Sequence, residues 1–153
     1  MEFEPVVADV VRQYADTPGA LLPILHGVQH ALGYIPREAV PRIANALNLS
    51  RAEVHGVVSF YHEFRETPPG RHTLKICRAE SCQAVGAEAL VAETTRRTGV
   101  PIGETTADGA LTVEPIYCLG LCALSPAILV DEQVHARVTR EQLDTLLDAL
   151  LAA

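Results

Sequence analysis

Tryptophan is absent from this chain, and aromatic residues make up only 5% of its 153 positions. Stacking platforms for nucleic-acid bases are therefore poorly supplied. An excess of positive charge is missing too. The formal net charge is −7, from 12 Lys and Arg against 19 Asp and Glu, so no nucleic acid is expected as partner, and the balance suits docking to another protein. No apolar run reaches the roughly 20 residues of a membrane span, so no direct membrane insertion is expected. No apolar stretch with a small-residue cleavage site opens the chain, which makes the reducing cytoplasm its expected location. A Gly-rich phosphate loop and a G-x-S-x-G nucleophile elbow are both lacking, and catalysis or nucleotide binding by this chain alone has no support. What remains, 48% hydrophobic and 20% charged, is the composition of a globular chain with room for one ordinary domain or two small ones.

Cysteine is scarce, but its placement is informative. The four cysteines form two short clusters, Cys77-Arg-Ala-Glu-Ser-Cys82 and Cys118-Leu-Gly-Leu-Cys122. Each loop is too short to surround a metal centre, so the fold must bring the pairs together. Three readings compete: a [2Fe-2S] cluster with two thiolates per iron, a zinc ion held by all four, and a pair of disulfides. Zinc knuckles usually carry C-x2-C, and both loops here are longer. Iron–sulfur loops are roomier, with peptide N–H groups turned to the sulfurs, and Gly120 permits the backbone such a loop needs. A reducing compartment disfavours disulfides, and a thioredoxin-type redox pair would want C-x-x-C.

Around these clusters the periodicity changes partway along. Val6, Val7, Val10, Val11 and Tyr14 share one helical face, and Leu21, Ile24, Leu25, Val28 and Leu32 another, with Thr17-Pro18 expected as N-cap and first helical residue and Gly33 as C-terminal stop. A third helix carries Ala39, Val40, Ile43, Ala44 and Leu47, provided that Pro41 lies in its first turn. Ser50-Arg-Ala-Glu53 reads as a capping box before Val54, Val57, Val58 and Tyr61. The segment around Thr67-Pro68-Pro69-Gly70 cannot continue a helix. The expected organisation is an all-helical domain over residues 1–66 and an α/β domain over 67–153.

In the second part, residues 72–77 alternate as a strand that ends on Cys77. One helix is expected from about Cys82 to Thr98, then strands at Ala110–Val113, leading by Ile116-Tyr117 to the second cysteine loop, and at Ala127–Val130, with an edge strand within Val134–Val138. Thr139-Arg-Glu-Gln142 opens a last helix with Leu143, Leu146, Leu147 and Leu150 on one stripe. This order gives an α/β layer architecture in which both cysteine loops could leave the same end of the sheet.

Five segments together resemble a known family: Leu32-Gly33-Tyr34-Ile35-Pro36, Val57 through Phe64, Cys77-x4-Cys82, Gly103 through Gly109, and Cys118-x3-Cys122 followed by Ser125-Pro126. In this order and spacing they are similar to the thioredoxin-like [2Fe-2S] ferredoxins, the 24 kDa-type subunit class of NADH:quinone oxidoreductase, NAD-reducing hydrogenases and NAD-dependent formate dehydrogenases. The resemblance implies a helical bundle followed by a thioredoxin-like domain, with one [2Fe-2S] cluster held by Cys77 and Cys82 on one iron and Cys118 and Cys122 on the other. It also implies a flavin- and NAD-binding partner subunit docked by the N-terminal helices. The stretch Cys77-Arg-Ala-Glu-Ser-Cys82-Gln-Ala-Val-Gly86 most resembles the γ subunit of molybdenum-dependent formate dehydrogenases, which adds a large molybdenum-containing partner; FMN, NAD and the molybdenum cofactor would belong to those partners.

Other chemistry-bearing residues receive plainer readings. Arg78 is expected to raise a cluster's potential and Glu80 to oppose it. His26 and His30, one helical turn apart, have no third ligand near in sequence and read as surface or packing residues. His55, His62, His72 and His135 are scattered. Phe60, Tyr61 and Phe64 read more readily as core than as a docking surface, and Glu104, Thr105 and Thr106 as a hydrogen-bonded turn.

Overall fold

The computed structural model describes residues 3–152. The chain divides into two compact units, Met1–Pro68 and Pro69–Ala153.

The first unit contains four helices: α1 (Phe3–Gln13), α2 (Leu21–Leu32), α3 (Ala39–Leu47) and α4 (Arg51–Phe60). Their apolar stripes meet in a core built on Val7, Ile24, Leu25, Val28, Ile35, Ile43 and Val54. Gly27 of α2 lets α1 approach closely, since a Cβ there would meet Val10 Cγ1 at 2.7 Å. The capping box of α4 closes as its sequence dictates. Ser50 Oγ accepts from Glu53 N–H at 3.1 Å, and Glu53 Oε2 accepts from Ser50 N–H at 2.8 Å. Gly33 ends α2 at φ 82°, and Pro41 sits in the first turn of α3, where its missing N–H costs no intrahelical bond.

One expected helix start fails. Thr17-Pro18 lies in a turn, and α2 begins at Leu21 behind Ala20, which makes no side-chain cap. The cause is Gly19, at φ 68°, a left-handed residue through which a right-handed helix cannot run.

The second unit is a four-stranded sheet with helices. Its elements are β1 (His72–Cys77), α5 (Glu80–Ala84), α6 (Ala87–Thr98), β2 (Leu111–Ile116), β3 (Ile128–Val130), β4 (Gln133–His135) and α7 (Arg140–Ala152). The strand order is β2-β1-β3-β4. β1 and β2 are parallel with Cys77 opposite Ile116, whereas β3 runs antiparallel to both β1 and β4. Leu74, Ile76, Leu111, Val113 and Ile128 pack with Leu143 and Leu147 of α7 in the core. Gln142 completes the second capping box: its Oε1 accepts from Thr139 N–H at 3.0 Å.

The single helix expected over Cys82–Thr98 is two. Gly86, at φ 101°, separates α5 from α6 and lets the second begin on a new axis. β2 also runs further than expected, to Ile116, and β4 is shorter, three residues at the sheet edge. Among the described residues no helix is long and apolar enough to cross a membrane.

Candidate metal centre

The parallel pairing of β1 and β2 decides where the cysteines meet. Parallel neighbours send their C-terminal ends the same way, so the loops after Cys77 and after Ile116 leave from one end of the sheet. Two crossing hydrogen bonds fix the exit: Cys77 N–H to Ala127 O at 3.1 Å and Arg78 N–H to Ile116 O at 2.8 Å. Cys77 therefore closes β1, Cys82 lies inside α5, Cys118 follows β2, and Cys122 opens a short 3-10 turn, Cys122–Leu124.

The two pairs differ in exposure. Cys77 and Cys82 are 2% and 3% accessible, while Cys118 and Cys122 are exposed. A small apolar group surrounds the buried pair: Ala87 and Ala127, with Ala79, Ile116, Leu119 and Leu121 packed on it. Tyr117, 67% exposed, stands beside the open pair.

The two cysteine loops act on one another. Burial by itself pushes the Cys77 thiol up, but hydrogen bonds from the Ala79 backbone, the Cys82 side chain and the backbones of Cys118 and Leu119 hold it below the ordinary value. The Cys122 thiol is pushed up, first by its hydrogen bond with Cys118 and then by the charges of Cys118, Cys82 and Cys77. Cys118 Sγ and Cys122 Sγ are 3.6 Å apart, and Gly120 N–H points at Cys118 Sγ from 3.4 Å. Cys118 itself has φ 83°, a conformation that costs a non-glycine residue of order 1–3 kcal/mol and gathers at functional positions.

These observations test what the donor set fits. Four free thiols on two loops at one end of the sheet, with the Gly120 N–H aimed at sulfur, suit a thiophilic centre. Among the described residues, no three His, Cys, Asp or Glu side chains converge as the ligands of a single ion would. All four cysteines are free thiols in the structure.

Three contacts around the loops were not visible in the sequence reasoning. The Arg78 guanidinium turns to Glu88, with Nε 2.8 Å from Oε1, a partner that the sequence reading, which set Arg78 against Glu80, did not identify. Ser81 Oγ lies 2.8 Å from Ser125 Oγ. Gln83 Nε2 donates to Arg78 O at 2.7 Å. Neither Glu88 nor Ser125 stands at a periodic distance from its partner, so only the Ser-Pro dipeptide after Cys122 hinted at any of them.

Other candidates resolve simply. The His26 and Phe64 rings pack at a tilt of 54° with centroids 4.9 Å apart, and His72 Nδ1 meets Asp131 Oδ2 at 2.9 Å. Phe64 is core, but Phe60 and Tyr61 are 72% and 43% exposed, so the trio is not the core cluster expected, although its rings touch in turn, Phe60 on Tyr61 at 5.1 Å and Tyr61 on Phe64 at 6.1 Å; Tyr61 follows α4 in extended backbone. Thr106 Oγ1 donates to Asp108 Oδ1 at 2.6 Å and accepts from Leu111 N–H at 3.0 Å, the turn network expected there.

Comparison with known proteins adds to this geometry. The model of the family described as thioredoxin-like [2Fe-2S] ferredoxin matches residues 7–151. NADH-quinone oxidoreductase subunit 2 of Thermus thermophilus is 37% identical over 134 residues, covering 87% of this chain and 74% of the relative. NADP-reducing hydrogenase subunit HndA of Solidesulfovibrio fructosivorans is 33% identical over 147 residues, 94% of this chain and 86% of that one. Among solved structures, an NAD+-reducing [NiFe]-hydrogenase in its air-oxidised state superposes with a TM-score of 0.74 at 28% identity, over 87% of this chain. This chain spans 23% of that hydrogenase chain.

Proposed function

Because the chain belongs to the thioredoxin-like [2Fe-2S] ferredoxin family, we propose that Cys77 and Cys82 bind one iron of its single cluster and Cys118 and Cys122 the other. The chain is an electron-transfer subunit for NAD(H)-linked oxidoreduction, and on this reading the catalysis belongs to its partner subunits. The observation that carries the ligand assignment is the arrival of both cysteine loops at one end of the parallel β1–β2 pair.

When bound, a [2Fe-2S] cluster supplies one-electron redox chemistry. The chain's own residues hold and shield it. Cys77 and Cys82 would bind from the dry side, where Ala87, Ala127, Leu119 and Leu121 exclude water. Gly120 N–H offsets thiolate charge at Cys118. The exposed pair, Cys118 and Cys122, with Tyr117 beside it, forms the side that a redox partner can approach.

Within this class we assign the chain to a cytoplasmic NAD-dependent formate dehydrogenase. It would work beside a flavin- and NAD-binding subunit, docked through the helical domain of residues 1–66, and a large molybdenum-containing subunit, while residues 67–153 carry the cluster. The support is the likeness of residues 77–86 to the γ subunit of those enzymes. A second reading, the corresponding subunit of NADH:quinone oxidoreductase or of an NAD-reducing hydrogenase, is supported by the relatives' identities.

Two measurements test these readings in turn. Anaerobically purified chain should be reddish-brown, contain iron and acid-labile sulfide, bleach with dithionite and then give an EPR signal. A colourless, EPR-silent protein containing zinc would replace the electron carrier with an interaction module. Purification of the native complex should then recover a large molybdenum subunit; membrane subunits or a nickel-containing subunit in its place would select the second reading.

A further inference from the structure

Ser81 and Ser125 tie the two cysteine loops together beside the buried pair. Ser81 Oγ is 2.9 Å from the Cys122 carbonyl oxygen, Ser125 Oγ is 2.8 Å from the same oxygen, and the two hydroxyls are 2.8 Å apart. Ser125 Oγ is also 3.6 Å from Cys82 Sγ. A count of hydrogens constrains this group. Each serine contributes one hydroxyl hydrogen, and a carbonyl oxygen only accepts. While Cys82 is a thiol, its S–H is a third donor and can point at Ser125 Oγ, leaving both hydroxyl hydrogens for Cys122 O. Once Cys82 binds iron, that third hydrogen is gone and the sulfur becomes an acceptor.

We propose that Ser125 is a positioning residue for the redox centre: it turns its hydroxyl hydrogen from the Cys122 carbonyl to the Cys82 thiolate when the cluster is bound, and Ser81 makes this possible by continuing to satisfy that carbonyl. The inference rests on Cys82 being an iron ligand, as read above. Ser81 removes the penalty that would otherwise hold Ser125 in place, since a carbonyl left without a donor loses the free energy of its hydrogen bond. A hydrogen bond to a cluster thiolate favours the more negative, reduced state and so raises the midpoint potential. The two serines come from different loops, so the hydrogen bond also depends on the loops being correctly apposed.

The test uses the full chain loaded with its cluster, as wild type, Ser125→Ala, Ser125→Thr and Ser81→Ala. Iron, acid-labile sulfide and the EPR signal of the reduced state are measured first. A wild type without them ends the parent reading and this inference with it. In loaded protein, Ser125→Ala is expected to shift the midpoint downward and to lose one exchangeable proton coupling in ENDOR spectra recorded before and after transfer to D2O. Ser125→Thr keeps both. Ser81→Ala shifts the midpoint downward by less, because the Ser125 hydrogen is then drawn back to Cys122 O. A loaded Ser125→Ala protein with unchanged midpoint and unchanged couplings overturns the proposal. If Ser125→Ala does not retain iron, Ser81→Ala decides: an unchanged midpoint there overturns the proposal and a lowered one supports it.

Discussion

Arg78 and Glu88 form a two-point ion pair, with Nε 2.8 Å from Oε1 and Nη2 3.0 Å from Oε2. Arg78 adjoins Cys77 in sequence, whereas Glu88 comes from the first turn of α6. The residue that the sequence offers as a positive neighbour of the cluster therefore arrives with its own counter-charge. The Glu88 hydrogen bond in turn raises the guanidinium above its ordinary pKa, against the opposing effect of burial.

Because the pair is close to neutral, each half should act on the cluster only when the other is removed. Glu88→Gln is expected to raise the midpoint potential, and Arg78→Gln to lower it, each by roughly tens of millivolts for a lone charge about 10 Å away. The double variant should return close to wild type. EPR-monitored redox titration measures all three, and two single variants shifting in the same direction would mean that the pair acts through loop geometry and not through charge.

Cluster-free protein should reveal the difference between the two cysteine pairs. Iodoacetamide is expected to modify exposed Cys118 and Cys122 well before Cys77 and Cys82, which are 2% and 3% accessible. The lowered thiol value of Cys77 favours its thiolate without giving the reagent access. Iron reconstitution should protect all four. Peptide mass mapping over time gives the order, and early labelling of Cys77 would mean that the site opens when metal is absent.

Glu93 joins α6 to α7. It is 6% exposed and paired with Arg96 and, at 2.7 Å, with Arg140. The Arg96 hydrogen bond holds its carboxyl below the usual range, against the upward push of burial and with further help from the Arg140 charge. A group with a depressed folded pKa contributes stability above its unfolded value, about 4.3 for a glutamate, and loses that contribution as pH falls through the folded value. Glu93→Gln should therefore be less stable than wild type at neutral pH, and the gap should close as the pH is taken below about 4. Urea melts across that range measure it; a gap independent of pH would assign the loss to packing.

Gly70 should tolerate no side chain. A Cβ there would stand 3.0 Å from Gly109 O and from two backbone atoms of Leu111, and backbone cannot swing aside as a side-chain tip can. Gly70→Ala is expected to cost about 1–3 kcal/mol, the usual penalty for overpacking, whereas Gly56→Ala, with open space at its Cβ, should be neutral or slightly stabilising. Chemical denaturation of the two variants checks the contrast.

Much of this architecture is written in local signals. The capping boxes at Ser50 and Thr139, the stop at Gly33 and the strand ending on Cys77 each depend on residues a few positions apart, and each formed where its pattern stood. What sequence reasoning lost were competitions and distant partners. Gly19 overrode the Thr17-Pro18 helix start, and Gly86 cut a continuous alanine-rich pattern in two, because a left-handed residue outweighs the propensity of its neighbours. Arg78 with Glu88, Glu93 with Arg140, and Ser81 with Ser125 are joined only after the sheet and helices have formed. Spacing alone left zinc and iron open at the cysteines; the family match favours iron.

The parallel register that sets Cys77 opposite Ile116 also imposes an order of events on biosynthesis. The first two sulfurs leave the ribosome long before the last two, and the strand that carries the second pair into position must be made and slotted beside β1 before a complete set of donors exists. A chain ending between Cys82 and Cys118 would carry two of the four proposed donors and lack the second half of the receptacle.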